Sequence, residues 1–163
     1  ACVQDILNRP MTRLHPIDLD VRLAHVDLPF QRVPVPEELE PDDRDDAVTE
    51  AWKRLMRSGR GKLQPHARLG LQLLRLADDL SLLALDGEVV VEYGLLIKRL
   101  SRGRTLPLAY SNGMVGYIPT AAQIREGGYE SVDSYRLFGY PSPFAAEAED
   151  RIVRAIRRLL DQP

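Results

Sequence analysis

The sequence predicts an α/β or α+β fold in which a mixed β-sheet is packed by amphipathic helices. Two observations support this class. Apolar residues alternate with polar ones over 18–30 and 69–73, as they do in half-buried strands. Apolar residues also recur at helical spacing over 42–57 and 143–160. Because these strand and helix patterns are interspersed along the chain, we expect a layered arrangement of both element types.

A short helix, a strand and a connector are predicted before the amphipathic helix over 42–57. Residues 1–8 place apolar side chains at helical spacing, and Pro10 follows as a stop signal. Residues 18–30 alternate imperfectly and predict an extended strand. The segment 33–41 contains three prolines and predicts an extended connector rather than a domain linker.

The segment 42–57 predicts an amphipathic helix, with Asp42 or Asp43 as its N-cap. Gly59 and Gly61 follow as end signals. We interpret its apolar stripe as a core face, although a partner-binding face has the same pattern. The stripe consists of Ala47, Val48, Ala51, Trp52, Leu55 and Met56.

A β-hairpin is predicted next, since 69–73 alternate, 77–79 are turn residues and 80–85 run back as a strand buried on both faces. A helix is predicted over 88–100, followed by a short strand over 105–111. Basic residues that offset the dipole of the helix gather near its C-terminus: Lys98, Arg99, Arg102 and Arg104. The last predicted element is the amphipathic helix over 143–160.

The composition is that of a globular chain: 163 residues, 44% hydrophobic and 28% charged. A formal net charge of −2 gives no electrostatic reason to expect nucleic acid or an anionic membrane as a partner. No uninterrupted apolar run approaches the roughly 20 residues of a membrane span. The single cysteine, Cys2, cannot form an intrachain disulfide, and we see no signal-peptide pattern. These features leave cytoplasmic and secreted locations both open.

Several common site motifs are absent. The segment 57–63 (RSGRGKL) has glycines and a lysine but not the spacing of a phosphate-binding loop. The three histidines are scattered and form none of the paired metal motifs. Cys2 lies too near the chain end to be a credible nucleophile, and no G-x-S-x-G segment occurs.

Two residues between 85 and 130 are candidates for a site. Glu88 follows Gly87 at the end of a buried strand and is predicted to open a helix, where a carboxylate is favoured. The plain alternative is a first-turn helix acid. Tyr117 follows Gly116 on a predicted short strand, where a tyrosine is usually an amphipathic core residue.

Three motifs carry a resemblance to a known family. The runs D-G-E at 86–88, S-N-G-M-V-G-Y-I-P-T at 111–120 and E-G-G-Y-E at 126–130 resemble the neutral/alkaline (non-lysosomal) ceramidases. The layout before them is also similar, so the resemblance covers nearly the whole chain. Members of that family are zinc-dependent amidases that split ceramide into sphingosine and a fatty acid.

The resemblance implies roles for individual residues. Glu88 and Tyr117 match two zinc ligands, and Tyr129 matches an active-site tyrosine near the scissile carbonyl. The other two ligands are histidines from an earlier part of the family's chain, and none of the histidines here has that context. Asp86 stands where the family usually has proline, which adds a charge close to the predicted ligand.

The resemblance also predicts how this chain relates to an enzyme. We expect residues 1–163 to be a single-domain piece, the C-terminal part of a larger catalytic domain, without the Ig-like domain of well-known members. Alone it is expected to be inactive, because the histidine-bearing upstream part is needed for zinc. Two alternatives stay open: a non-catalytic structural or interaction module with a relic site, and a hydrolase of another N-acyl amide.

Overall fold

The computed structural model describes residues 8, 10, 13–61 and 64–161. The helix predicted for residues 1–8 therefore lies outside the described residues, apart from Asn8, as does Cys2. In chain order the elements are β1 (Pro16–Pro29), a 3-10 helix (Pro36–Leu39), α1 (Ala47–Arg57), β2 (His66–Ala77), β3 (Leu80–Leu85), β4 (Glu88–Val89), α2 (Val91–Leu100), β5 (Thr105–Leu108), β6 (Tyr117–Ile118), α3 (Ala121–Glu126), a π-helix (Tyr129–Asp133), a 3-10 helix (Ser134–Arg136) and α4 (Glu147–Asp161).

The main sheet has the strand order β1-β2-β3-β5. The pairs β1–β2 and β2–β3 are antiparallel, whereas β3 and β5 are parallel. The predicted hairpin is confirmed: β2 and β3 are joined across Asp78 and Asp79, which are turn residues. Parallel strands need a crossover, and α2 lies in the connection from β3 to β5. The mixed sheet packed by helices confirms the predicted α/β fold class.

The core lies between this sheet and the helices α2 and α4. Leu28, Leu69 and Leu83 of the sheet and Ile152 and Ile156 of α4 are all 0% exposed. The apolar spacing along α4 places these isoleucines on the face that packs against β1. Burial of these side chains is the main favourable term that fixes the helices on one side of the sheet.

A second, two-stranded sheet corrects the helix predicted over 88–100. The helix begins at Val91, and Glu88 and Val89 instead form β4, which pairs in parallel with β6. The Glu88 backbone N–H donates to the Gly116 carbonyl oxygen at 2.9 Å. Val89 is β-branched and fits this strand, and pairing with β6 keeps the segment extended up to the helix start at Val91. Glu88 is therefore not a first-turn helix acid, and Glu92 occupies that position.

The N-cap of α1 also differs from the prediction. The helix begins at Ala47, and the Asp46 carboxylate accepts the backbone N–H of Thr49 at 2.6 Å. Asp42 cannot serve as the cap because its carboxylate binds the backbone and guanidinium of Arg44. The stripe predicted to face the core is only partly buried: Trp52 and Met56 are buried, whereas Ala47, Val48 and Ala51 are exposed.

Three further boundaries differ from the sequence prediction. The connector over 33–41 contains the short 3-10 helix rather than extended chain throughout. β5 ends at Leu108 instead of residue 111, because Tyr110 and Asn112 have left-handed φ values of +54° and +69° and turn the chain. The last helix begins at Glu147 instead of residue 143.

Candidate functional site

The pairing of β4 with β6 brings the two predicted zinc ligands together. Glu88 and Tyr117 are direct cross-strand partners, although they come from separate motifs. Gly87 is needed for this approach: a Cβ there would lie 2.9 Å from the Ile118 side chain and 3.1 Å from the Gly116 carbonyl oxygen. Gly87, next to Glu88, therefore allows the two strands to pack closely.

Tyr129 joins the same cluster from the π-helix. Its ring meets the Tyr117 ring edge to face, with centroids 6.0 Å apart and planes at 72°. The preceding Gly127 and Gly128 have φ values of +83° and +99°, which other residues rarely adopt. Tyr129 is 52% exposed. All three residues that the sequence assigned to the site lie together, and one of them faces solvent.

Tyr110 belongs to the site and was not assigned to it from the sequence, which placed this residue in a predicted strand. A hydrogen bond to Glu88 is the largest cause that raises the pKa of Tyr110 to about 12. Its left-handed backbone turns the chain directly after β5. The one available signal was its position immediately before the S-N-G motif.

The electrostatics of the cluster are dominated by Glu88. Its negative charge is the largest cause that raises the pKa of Tyr117 above its ordinary value, followed by desolvation and by Tyr129. Beside these residues lies an open groove of about 300 Å³, lined also by Glu92, Gln123 and Glu130. Among the described residues that line the groove, three are glutamates and none is Lys, Arg or His. The negative charge of the groove therefore attracts cations.

Asp86 faces away from this groove, toward Gly70 of β2. Its carboxylate accepts the Gly70 backbone N–H at 2.6 Å, and its carbonyl accepts the Val115 N–H at 2.7 Å. A Cβ at Gly70 would lie 2.7 Å from the carboxylate. Burial is the largest cause that raises the pKa of Asp86. Asp86 therefore ties the glycine-rich loop before Tyr117 to the main sheet.

A zinc ion takes four nitrogen, oxygen or sulfur ligands. Glu88 and Tyr117 are adjacent oxygen donors at the edge of an open groove. Within residues 13–61 and 64–161, no three His, Cys, Asp or Glu side chains are grouped so as to hold a metal ion. His66 lies on β2, where its Nε2 is 3.6 Å from the Asp27 carboxylate. The described residues therefore offer two neighbouring oxygen donors, Glu88 and Tyr117, and no group of three His, Cys, Asp or Glu ligands.

A larger cavity of about 420 Å³ lies at the opposite end of the sheet, beside Ser81 and Thr105, where β3 and β5 begin. Arg75 and Arg104 line it, and each has a carboxylate 3.8 Å away. This cavity shares no lining residue with the groove beside Glu88. It does not contribute to the candidate site.

Comparison with protein families, with curated proteins and with solved structures finds no match to this chain. Among the described helices, none has the length and apolar character to cross a membrane. The assignment of the site therefore depends on the geometry around Glu88 and on the motifs in the sequence.

The pKa of Tyr110 supplies a test of the cluster in this chain alone. In Glu88→Gln we expect the pKa of Tyr110 to fall from about 12 toward its ordinary value of 10.0, because the carboxylate no longer accepts its proton. The pKa of Tyr140, which burial raises to about 12, is the internal control and should not move. A pH titration of the tyrosine ring signals by NMR measures both.

The same shift affects stability at high pH. The folded chain holds the Tyr110 proton more tightly than the unfolded chain, so this contribution is present below pH 10 and is lost as the pH rises toward about 12. The Glu88→Gln variant should therefore lose less stability over this interval than the wild type. An unchanged Tyr110 pKa in the variant would show that the two side chains do not interact.

Proposed function

We propose that this chain is the C-terminal portion of a zinc-dependent amide hydrolase that resembles the neutral ceramidases. The observation that carries the proposal is the cross-strand pairing of Glu88 with Tyr117. The ring of Tyr129 against Tyr117 adds a third residue from a third motif. Three residues chosen from separate parts of the sequence thus lie side by side, which supports a common role.

In this proposal Glu88 and Tyr117 hold zinc from one side. The remaining ligands are two histidines of the upstream, histidine-bearing part of the catalytic domain. When bound, zinc supplies a Lewis acid that polarises a carbonyl and makes water a nucleophile near neutral pH. Tyr110 interacts with Glu88, which raises the pKa of Tyr110, and in this proposal it would orient the Glu88 carboxylate, as partners of metal ligands commonly do.

Tyr129 acts on the substrate rather than on the metal. Its ring packs on Tyr117, which lines the groove, and Tyr129 itself is 52% exposed. From there its hydroxyl donates a hydrogen bond to the amide carbonyl oxygen as negative charge develops on it. The groove is suited to a substrate with apolar and polar parts, because Val89, Val90 and Val91 line it together with the acidic residues.

Replacing Tyr129 separates catalysis from metal binding. In the assembled hydrolase, Tyr129→Phe should lower kcat about a hundredfold, the usual loss when one donor to a developing oxyanion is removed. Its zinc content should equal that of the wild type. Tyr135→Phe is the control, since the Tyr135 ring packs against Trp52 and does not line the groove beside Glu88. Unchanged turnover in Tyr129→Phe would remove Tyr129 from the reaction.

The proposal as a whole is tested by assembling the enzyme. The upstream coding region is expressed as a separate polypeptide, mixed with this chain and zinc, and assayed with ceramide and a panel of other N-acyl amides. We expect hydrolysis by the mixture and none by this chain alone, since two ligands hold zinc weakly. An inactive, zinc-free mixture would favour a structural module. Hydrolysis of other N-acyl amides but not of ceramide would assign a different substrate to the enzyme.

A further inference from the structure

A separate cavity of about 330 Å³ is lined by residues of α1 and of the segment 132–143. Three basic side chains line it, those of Arg32, Lys53 and Arg136, and Glu38 is the only acid among its described lining residues. The cavity shares no lining residue with the groove of the candidate site or with the larger cavity at the end of the sheet. We refer to it as the basic cavity.

Arg136 in the basic cavity has a hydrogen-bonding group that the protein leaves unpaired. Its Nε is buried and has no hydrogen-bond partner among the residues that the structure describes. No other buried side-chain nitrogen or oxygen in the described part of the chain lacks a partner. A guanidinium carries five N–H donors, and a buried donor without an acceptor is unfavourable. The Nε–H of Arg136 therefore indicates an acceptor that the protein itself does not supply.

The guanidinium of Arg136 is held in place through its other nitrogen. Its Nη1 donates to the Asp133 carboxylate at 2.8 Å, and the side chain is 25% exposed. Neither Nε nor Nη2 donates to a described residue. These two nitrogens form one edge of the planar group, and their spacing matches two oxygens of a carboxylate or a phosphate. The ion pair with Asp133 therefore leaves a complete oxyanion-binding edge in place.

The other two cations of the basic cavity are already paired. The Lys53 Nζ donates to the Asp45 carboxylate at 2.6 Å and to the Glu40 carbonyl oxygen at 2.9 Å. The Arg32 guanidinium forms an ion pair with Glu38. These two cations contribute positive charge near the cavity, whereas Arg136 retains donors for a ligand.

Part of the cavity wall is apolar. Trp52, Val132, Pro141 and Pro143 line it. The Trp52 indole N–H donates to the Tyr140 carbonyl oxygen at 2.7 Å, so this donor is not available to a ligand. Ligand sites commonly combine apolar walls with a few fixed polar groups, in cavities of about 300 Å³ or more. The basic cavity therefore suits a small compound with both an anionic and an apolar part.

We propose that the basic cavity binds a small compound that carries a carboxylate or a phosphate group on an apolar body such as a ring. Two oxygens of the anionic group accept hydrogen bonds from Nε and Nη2 of Arg136, and the body lies against Trp52 and the prolines. Bidentate pairs of this kind are among the strongest hydrogen-bonded contacts, and Asp133 has already oriented the guanidinium. The inference does not depend on the proposed hydrolase, because the two sites share no lining residue.

Three matched probes test whether this chain binds such a compound. Benzoate and phenyl phosphate carry the two anionic groups on the same ring, and benzamide carries an uncharged group. Trp52 is the single tryptophan of the sequence, so its fluorescence reports occupancy of the cavity, and calorimetry measures Kd. We expect saturable binding of benzoate or phenyl phosphate at one site per chain, with benzamide at least about tenfold weaker. The tighter of the two anions distinguishes a carboxylate ligand from a phosphate ligand.

Variants assign the binding to Arg136. Arg136→Lys keeps the charge but removes the edge formed by Nε and Nη2, so the better anion should bind at least about tenfold more weakly. Arg44→Lys is the control, since Arg44 contacts the Asp42 carboxylate outside the cavity, and it should bind as the wild type does. Glu38→Gln removes the only acid that lines the described cavity and should tighten binding, a gain that partial unfolding would not produce.

The proposal is overturned if no probe binds saturably, if benzamide binds as tightly as the anions, or if Arg136→Lys binds like the wild type. Should Arg136→Lys fail to fold by circular dichroism, the wild-type chain decides the question through the NMR signal of the Arg136 Nε–H. A saturating amount of the better anion should shift that signal. An unchanged signal would show that the anion binds elsewhere and would overturn the site.

Discussion

On the proposed function, Glu88→Gln in the assembled hydrolase is expected to lose tight zinc binding and turnover together, with zinc affinity lowered about a hundredfold or more. The amide keeps the size of the carboxylate but removes the negative charge that pairs with the metal. Glu88 is also central to the cluster, because it is paired with Tyr117 across β4 and β6 and is the largest cause of the raised pKa values of Tyr110 and Tyr117. Competition with a zinc chelator measures the affinity of each protein.

The control for this variant is Glu126→Gln. Glu126 is an exposed glutamate at the end of α3 and does not line the groove beside Glu88. The Glu126→Gln substitution removes one negative charge, as Glu88→Gln does, so a general electrostatic effect on zinc affinity would appear in both variants. Zinc affinity that falls equally in both, or in neither, contradicts the role of Glu88 as a ligand.

Leu83→Ala is expected to lower the free energy of unfolding by about 3 kcal/mol. Leu83 is 0% exposed in the central strand β3, where its register partners are Leu73 in β2 and Pro107 in β5. The substitution removes buried apolar surface and leaves a cavity between the sheet and the helices. Denaturant unfolding followed by circular dichroism measures the change.

Leu95→Ala makes the same chemical change at a position that is 58% exposed. Its unfolding free energy should change by less than about 1 kcal/mol, since little surface is buried there and both residues are good helix formers. Similar losses in the two variants would mean that the core does not lie between the sheet and its helices.

The sequence predicted the elements whose pattern is local. The alternation of Leu69, Leu71 and Leu73 and the acidic turn after them are sufficient to specify the β2–β3 hairpin, because the period of two and the turn chemistry are both visible in the chain. The apolar spacing of α4 is equally clear. The predicted fold class follows from these long, periodic segments.

Short elements that depend on a distant partner were not predictable in the same way. β4 has two residues, and its identity as a strand comes from pairing with β6, so Glu88 was predicted in a helix. The cap of α1 was misplaced because four aspartates, Asp42, Asp43, Asp45 and Asp46, precede the helix and any of them has the right chemistry. Which aspartate caps the helix is decided by local hydrogen bonds, from the Thr49 N–H to Asp46 and from Arg44 to Asp42, and the sequence pattern does not distinguish them.

The residues of the candidate site also differ in whether the sequence signals them locally. Glu88, Tyr117 and Tyr129 could be selected because each lies in a distinctive motif, and the fold places them together. Tyr110 was missed because its role depends on a left-handed turn and a hydrogen bond to Glu88, neither of which leaves a periodic signal. The row of paired residues Val21, Leu74, Leu82 and Leu106 was also not apparent, since a row across four strands becomes visible only when their register is known.

The proposed zinc site is tested most directly by native mass spectrometry. The sample is this chain assembled with the upstream polypeptide in the presence of zinc. The method reads chain mass, partner and bound metal in one spectrum. We predict a complex that contains the 18.4 kDa chain, its partner and one zinc ion, with Glu88→Gln forming the same complex without zinc. A wild-type complex that holds no zinc, or a variant that keeps it, would contradict the assignment of Glu88 and Tyr117 as metal ligands.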